Sequence, residues 1–260
     1  MKYRIPLVAL ALALFAAPAG AQGICGEADR FALSDDIVGI WSPCTVRPGG
    51  LVIDSTYLQN ASAVGGTALA AYPLVSLRTG IARRLEFDVH TPSQIAESGL
   101  HGLGLYPATH MGWGLRYTAV QADRVGVAVS AEELPPMSRF SPNHVQPRYN
   151  FGVTTEYAVN RKLAVGLATT GTSSSRVGFA RILPSATLKA GYDLTPATQI
   201  TADVGTHIAT PRHGGQSFGD TWINERLGKN WLFNVGLGTS FNATENAKAH
   251  YLASGFNYRI

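Results

Sequence analysis

The sequence predicts an all-β protein, a transmembrane antiparallel up-and-down β-barrel of about twelve strands, on three observations. Apolar and aromatic residues recur at every second position in one segment after another. Tight turns and long loops alternate between those segments. Charged residues make up only 15% of the 260 residues, and glycine is abundant at 28, against about 25% charge and about 7% Gly in ordinary soluble domains. The chain is too apolar to be disordered. Its net charge of +4 is small for a nucleic-acid binder, which needs a clustered basic face, so no nucleic-acid partner is expected.

The first element reads as an address. Lys2 and Arg4 precede a short apolar run at 5–15, and Ala19-Gly20-Ala21 supplies a cleavage pattern. Together these predict a signal peptide over 1–21. The run is shorter than the roughly 20 residues a spanning helix needs. Export leads to an oxidising compartment, where Cys25 and Cys44 read as a disulfide. No metal-ligand spacing surrounds them, and no His precedes His90 to activate a catalytic cysteine. Residues 22–49 form a periplasmic segment. Within it, residues 27–41 could make an amphipathic helix that caps or plugs the barrel mouth, or a tail that only leads into the first strand.

The strands follow in order at 51–59, 67–77, 83–91, 109–119, 124–133, 148–158, 162–171, 182–193, 198–208, 218–227, 231–241 and 248–260. The uncharged run 55–77 is no spanning helix, because Gln59, Asn60, Gly65, Gly66 and Pro73 interrupt it. Leu85, Phe87 and Val89 alternate with Glu86, Asp88 and His90. Trp113, Leu115 and Tyr117 alternate with Gly112, Gly114 and Arg116. Phe151, Val153 and Tyr157 alternate with Gly152, Thr154 and Glu156, and Trp231, Phe233, Val235 and Leu237 with Asn234, Gly236 and Gly238. Only 218–227 has no clear parity. A soluble sandwich also alternates, but its wet face is rich in Lys, Glu and Thr. Here the polar face is about half Gly and small residues, as in a crowded barrel interior. The turns at 78–82, 120–123, 159–161, 194–197 and 228–230 are tight, and the connections at 92–108, 134–147 and 172–181 are long. That matches periplasmic turns and extracellular loops. Tyr57, Tyr72, Trp113, Tyr117, Tyr149, Tyr157, Tyr192, Trp231, Phe241, Phe256 and Tyr258 should lie near the two membrane interfaces.

The last residues, Gly255-Phe256-Asn257-Tyr258-Arg259-Ile260, resemble the C-terminal insertion signal of bacterial outer-membrane barrels, with Gly255, Phe256, Tyr258 and Ile260 as its elements. The usual terminal residue is Phe, and Ile260 departs from it. This resemblance implies the outer membrane, its lipid and the barrel-assembly machinery as partners. Four further stretches carry a second resemblance. They are Tyr72-Pro73-Leu74 through Arg78-Thr79-Gly80-Ile81-Ala82-Arg83-Arg84-Leu85-Glu86-Phe87, Gly112-Trp113-Gly114-Leu115-Arg116-Tyr117, Glu133-Leu134-Pro135, and Gln199-Ile200-Thr201-Ala202-Asp203-Val204-Gly205. They are similar to the outer-membrane family named for the MetA pathway of phenol degradation, and the likeness runs over most of 50–260. It implies a barrel linked to aromatic-compound catabolism and to transport. Residues 22–49 fall outside it.

Strand parity turns Arg84, Glu86, Asp88, Arg116, Glu156, Lys189 and Asp203 toward the lumen, with Asp54, His90 and His207 beside them. Both signs are present, so these residues form either a structural salt-bridge network or a mixed-sign eyelet for small polar solutes. Twelve strands fall between the filled eight-stranded barrels and the open porins of sixteen or more. The expected function is passage of small-molecule solutes, with no cofactor and no metal. The alternative is a closed barrel working through its loops. A lipid-acting hydrolase built on Ser217, His213, His207 and Asp220 is a third reading, but no Gly-x-Ser-x-Gly elbow supports a catalytic serine.

Overall fold

Every alternating segment pairs antiparallel with its neighbour, and the last pairs with the first. The computed structural model describes residue 25 and residues 42–62, 68–91, 94–99, 102–107, 111–134, 148–174, 183–207, 216–242 and 248–260. The strands are β1 (Leu51–Ser62), β2 (Ala68–Ala82), β3 (Leu85–His90), β4 (Gln94–Gly99), β5 (Gly102–Pro107), β6 (Gly112–Gln121) and β7 (Val125–Leu134), followed by β8 (Arg148–Ala158), β9 (Leu163–Ser174), β10 (Leu183–Asp193), β11 (Thr198–His207), β12 (Gln216–Leu227), β13 (Trp231–Asn242) and β14 (Lys248–Arg259). β1 pairs with β14 on one side and β2 on the other, which closes the ring. Closure removes every edge strand from the wall.

Twelve strands make that wall, as the periodicity predicts, and β4 and β5 are a hairpin extending it. β3 faces β2 from Ser76↔His90 downward, and β4 continues beside β2 from Tyr72↔Gln94 upward in the same register. Thr91 N–H donates to Val75 O at 2.9 Å across the short gap. Much of the expected loop 92–108 is therefore ladder. Its Leu103 and Leu105 alternate with Gly102 and Gly104, a two-residue period too short to stand out by itself.

The β2–β3 turn also differs from the expectation. β2 runs on to Ala82, and the turn is Arg83-Arg84, with Arg84 at φ 68°. Thr79-Gly80 reads as turn chemistry in the sequence. Gly80 instead lies within the strand, at a bulge, because another backbone crosses it there. A Cβ on Gly80 would sit 2.2 Å from Arg47 O and 2.3 Å from Val46 O. Glycine in a strand commonly marks such an approach.

The two faces of the wall are chemically opposite. Outward positions expose Trp113, Phe151, Leu188, Val204, Ile223, Phe233, Leu237 and Phe256. Inward positions bury Asp54, Arg78, Glu86, Arg116, Glu156, Lys189, Asp203, Asn224 and Asn234. This inverts the arrangement of a water-soluble protein and is the pattern of a barrel in lipid. The parity of β12 is resolved as well. Asp220, Trp222 and Asn224 are buried inward, while Thr221, Ile223 and Leu227 are exposed. An inward tryptophan is why the sequence pattern was ambiguous. Trp113, Tyr157, Tyr192, Trp231 and Phe256 are exposed on the outer wall. Trp231 also meets Phe256 and Tyr258, at ring separations of 5.7 and 4.4 Å. The side chains of Tyr72 and Phe241 lie outside the described residues.

Candidate functional site

Two groups of polar side chains meet inside the barrel. The first is organised by residues 42–50, which run inside the short-turn end as a strap. Gly49 N–H donates to Gly80 O at 3.1 Å and Gly80 N–H to Gly50 O at 3.3 Å. Val46 N–H donates to Glu86 Oε2 at 2.7 Å. Thr118 Oγ1 donates to Pro43 O at 2.8 Å, and Arg116 Nη1 to Ser42 O at 3.3 Å. The Cys25–Cys44 disulfide ties the strap to the segment before it. Residues 27–41, the candidate helix, lie outside the described residues.

Glu86 is the hub of this group. Arg78 donates to it through Nε at 2.7 Å and Nη2 at 3.1 Å, and Arg116 Nη1 lies 3.7 Å away. Glu86 is 0% exposed and Arg116 1%. Charges so buried persist only when paired in this way. Arg78 Nη1 also faces Asp54 Oδ2 at 3.7 Å, and Asp54 accepts from Ser76 and Asn257. Beyond them, Asp88 lies against Gly114. His90 Nε2 stands 3.0 Å from Asp88 and 3.4 Å from Glu132. Glu132 accepts from Asn150 at 2.9 Å.

The second group runs along the inner wall from β8 to β14. In register, Glu156 of β8 faces Gly166 of β9, which faces Lys189 of β10. Lys189 faces Asp203, Asp203 faces Asp220, and Gly238 of β13 separates Asp220 from Tyr251 of β14. Gly238 has a task here. A Cβ there would sit 2.4 Å from the Tyr251 ring, so its absence lets Tyr251 reach across and donate to Asp220. Trp222 Nε1 donates to the other Asp220 oxygen at 3.1 Å, and its ring lies over Gly236. Sequence reasoning found Lys189 and Asp203. It missed Asp220, Trp222 and Tyr251 as one unit, because only the register shows which aromatic fills which glycine gap.

Of the lumen residues expected from parity, Glu86, Asp88, Arg116, Glu156, Lys189 and Asp203 are all buried on the inner face. Arg84 differs, standing half-buried in the β2–β3 turn at the mouth. The side chain of His207 lies outside the described residues. Ser217 is exposed, whereas Asp220 is buried with its oxygens on Trp222 and Tyr251. Those two sit on opposite faces of β12 and cannot share one catalytic site, and His213 lies outside the described residues. At the chain end, Phe256 and Ile260 face outward, and Gly255 faces inward against Thr56 and Asn234.

No protein-family model and no curated sequence matches this chain. Among solved structures, the chain is similar to the COG4313 outer membrane channel from Pseudomonas putida F1, with TM-score 0.61 and 14% identity, over 83% of this chain and 97% of that one. It is similar to the NanC porin, with TM-score 0.53 and 8% identity, over 78% and 98% of the two chains. It is also similar to the KdgM porin, with TM-score 0.50 and 10% identity, over 79% and 98%. The likeness is one of fold.

Proposed function

We propose that this chain is an outer-membrane channel through which small molecules pass down their gradients. The observation that carries the reading is the closed twelve-stranded wall, apolar outside and charged inside. A soluble binding protein has no use for an exposed belt of Leu188, Leu237, Phe233 and Trp231. Lipid of the outer membrane covers that belt in this reading. The assembly machinery recognises the C-terminal strand through Gly255, Phe256, Tyr258 and Ile260. The disulfide between Cys25 and Cys44 accords with export, and residues 1–21 are the cleaved address. Short turns and both ends of the barrel domain (50–260) lie on one rim, which is the periplasmic rim. Glu86, Asp88, Arg116, Glu156, Lys189 and Asp203 line the path, with Arg84 at its mouth. Aromatic solutes are favoured by the likeness to the phenol-degradation family. The polar inner wall and the absence of a serine elbow both argue for passage rather than hydrolysis.

A second reading, a closed barrel working through its loops, is favoured by the strap seated in the mouth and the full burial of Glu86 and Arg116. Single-channel recording of the refolded mature chain in a planar bilayer separates the two, with and without residues 22–49. Discrete steps establish the channel, and larger steps without 22–49 make that segment its plug. Silence from both leaves the closed barrel.

A further inference from the structure

The outer wall carries a groove as well as a belt. Ala190 of β10 pairs with Val165 of β9 on one side and with Ala202 of β11 on the other. All three face outward and are exposed. One step up the strands, Leu188 pairs with Leu167 and Val204. The small side chains of Ala190 and Ala202 leave a depression bounded by Tyr157, Val165, Leu188 and Val204, with a volume of about 580 Å³. Ligand clefts run from about 300 to 1,000 Å³. This one opens sideways, where the wall meets lipid.

The end of the groove nearer the short turns leads to cations. Lys162 lies three residues below Val165, about 10 Å along the strand. A strand tilt of about 40° makes that about 8 Å of depth, close to the roughly 5–8 Å of a headgroup zone. Tyr192, paired with Leu163, is exposed on the outer wall between the two. Such tyrosines sit at the headgroup level. The β8–β9 turn is fixed by Asn160, whose Oδ1 accepts from the N–H groups of Lys162 and Leu163 at 2.8 and 3.0 Å. Arg161 stands at its tip. The side chains of Arg161 and Lys162 are exposed and have no partner among the described residues. Asp193, whose N–H donates to Lys162 O, accepts from Gln199 at 2.8 Å. Arg124 in the neighbouring β6–β7 turn is exposed too, but Asp123 adjoins it.

We propose that this face binds an anionic phospholipid of the leaflet at the short-turn rim, with its phosphate on Arg161 and Lys162 and an acyl chain in the groove over Ala190 and Ala202. The occupant must join a long apolar part to an anionic end. Free phosphate would leave the groove empty. A second copy of this chain would have to bring both a ridge and a carboxylate to the same depth. A phospholipid carries both parts in one molecule and already lies there. The guanidinium fork matches a phosphate, and each cation near an anionic surface favours it about fivefold. The site rests on the membrane reading of the wall and not on conduction through the lumen.

Native mass spectrometry of the full mature chain checks this. The chain is refolded in neutral detergent with equal amounts of phosphatidylglycerol and phosphatidylcholine of the same acyl chains. The wild type should retain phosphatidylglycerol severalfold over phosphatidylcholine, and an excess of inorganic phosphate should not displace it. Arg161→Gln combined with Lys162→Gln should bring the two lipids to equal retention. Lys229→Gln, in the β12–β13 turn, should leave the preference in place. Ala190→Leu fills the groove and should lower retention with the rim charges intact. If it does not refold, the double rim variant decides. Equal retention by the wild type overturns the site, and so does a preference unmoved by the double variant. Retention unmoved by a folded Ala190→Leu overturns it, as does a loss in Lys229→Gln equal to that in the double variant. Displacement by inorganic phosphate would reduce it to an anion site, and a lipid-free dimer would give the groove to a second copy. Each of those overturns it while leaving the channel reading untouched. A chain that forms no folded barrel in detergent overturns the membrane reading as well.

Discussion

Gly236 shows how tightly the lumen of β12–β14 is fitted at the level of single residues. A Cβ there would meet the Trp222 indole at 2.2 Å, and one at Gly205 would meet Phe218 at 2.4 Å. The Trp222 indole is anchored by Asp220 and is only 2% exposed, so it has little room to yield. Forcing atoms into a filled interior costs about 1–3 kcal/mol. Gly236→Val should therefore lose stability of that order, read as an earlier urea midpoint for the folded barrel in micelles. Tyr251→Phe tests the same unit from the other side. It deletes one donor to a buried carboxylate, and a hydrogen bond to a charged group contributes about 1.5–3 kcal/mol. Its urea midpoint should fall by a comparable amount, and a midpoint equal to wild type would show that Asp220 does not depend on Tyr251.

At the level of the strand, the outer face of β10 gives the cleanest check that the wall meets lipid. Leu188 lies mid-strand and is 58% exposed, while Leu194 lies in the β10–β11 turn. Arginine on the lipid face costs about 2–4 kcal/mol at the bilayer midplane and about 0–1 near the interface. Leu188→Arg should cut the yield of folded, inserted barrel sharply in liposomes, and Leu194→Arg should scarcely change it. Equal tolerance of the two would mean that β10 does not cross a membrane. Strands of this kind were legible in the sequence because one face must be apolar for lipid and the other polar for the lumen, so the period of two persists for about ten residues. Legibility failed where a second constraint overrode that period. Trp222 faces inward over Gly236 and blurs β12. Gly80 serves a crossing backbone and imitates a turn, which moved the predicted end of β2 and put Arg84 in the lumen row. The β4–β5 hairpin is too short to announce itself. Asp54, Glu86, Asp88, Glu156 and Asp203 are readable as lumen carboxylates from parity alone, Asp220 is not, and the partner of each requires the register.

For the molecule as a whole, the consequence of the fold is that one buried carboxylate couples the strap to the wall. β1 and β14 close the barrel through their own ladder, so closure does not need residues 42–48. The strap, residues 42–50, is held instead by Gly80, Thr118, Arg116 and Glu86. Glu86 both accepts from the strap and binds the two arginines of the wall. Removing it takes away the strap's acceptor and leaves Arg78 and Arg116 without their shared partner, a change of about 3–5 kcal/mol where a buried pair is broken. Glu86→Ala should therefore free the strap and raise single-channel conductance toward that of the chain lacking residues 22–49. In the chain already lacking 22–49, the same substitution should add much less. Migration as a folded barrel on an unheated gel would establish that each variant still closes. Equal increments of conductance in both backgrounds would mean that Glu86 acts on the pore directly and not through the strap. No increment in either would mean that the strap does not obstruct the path, although it occupies the mouth.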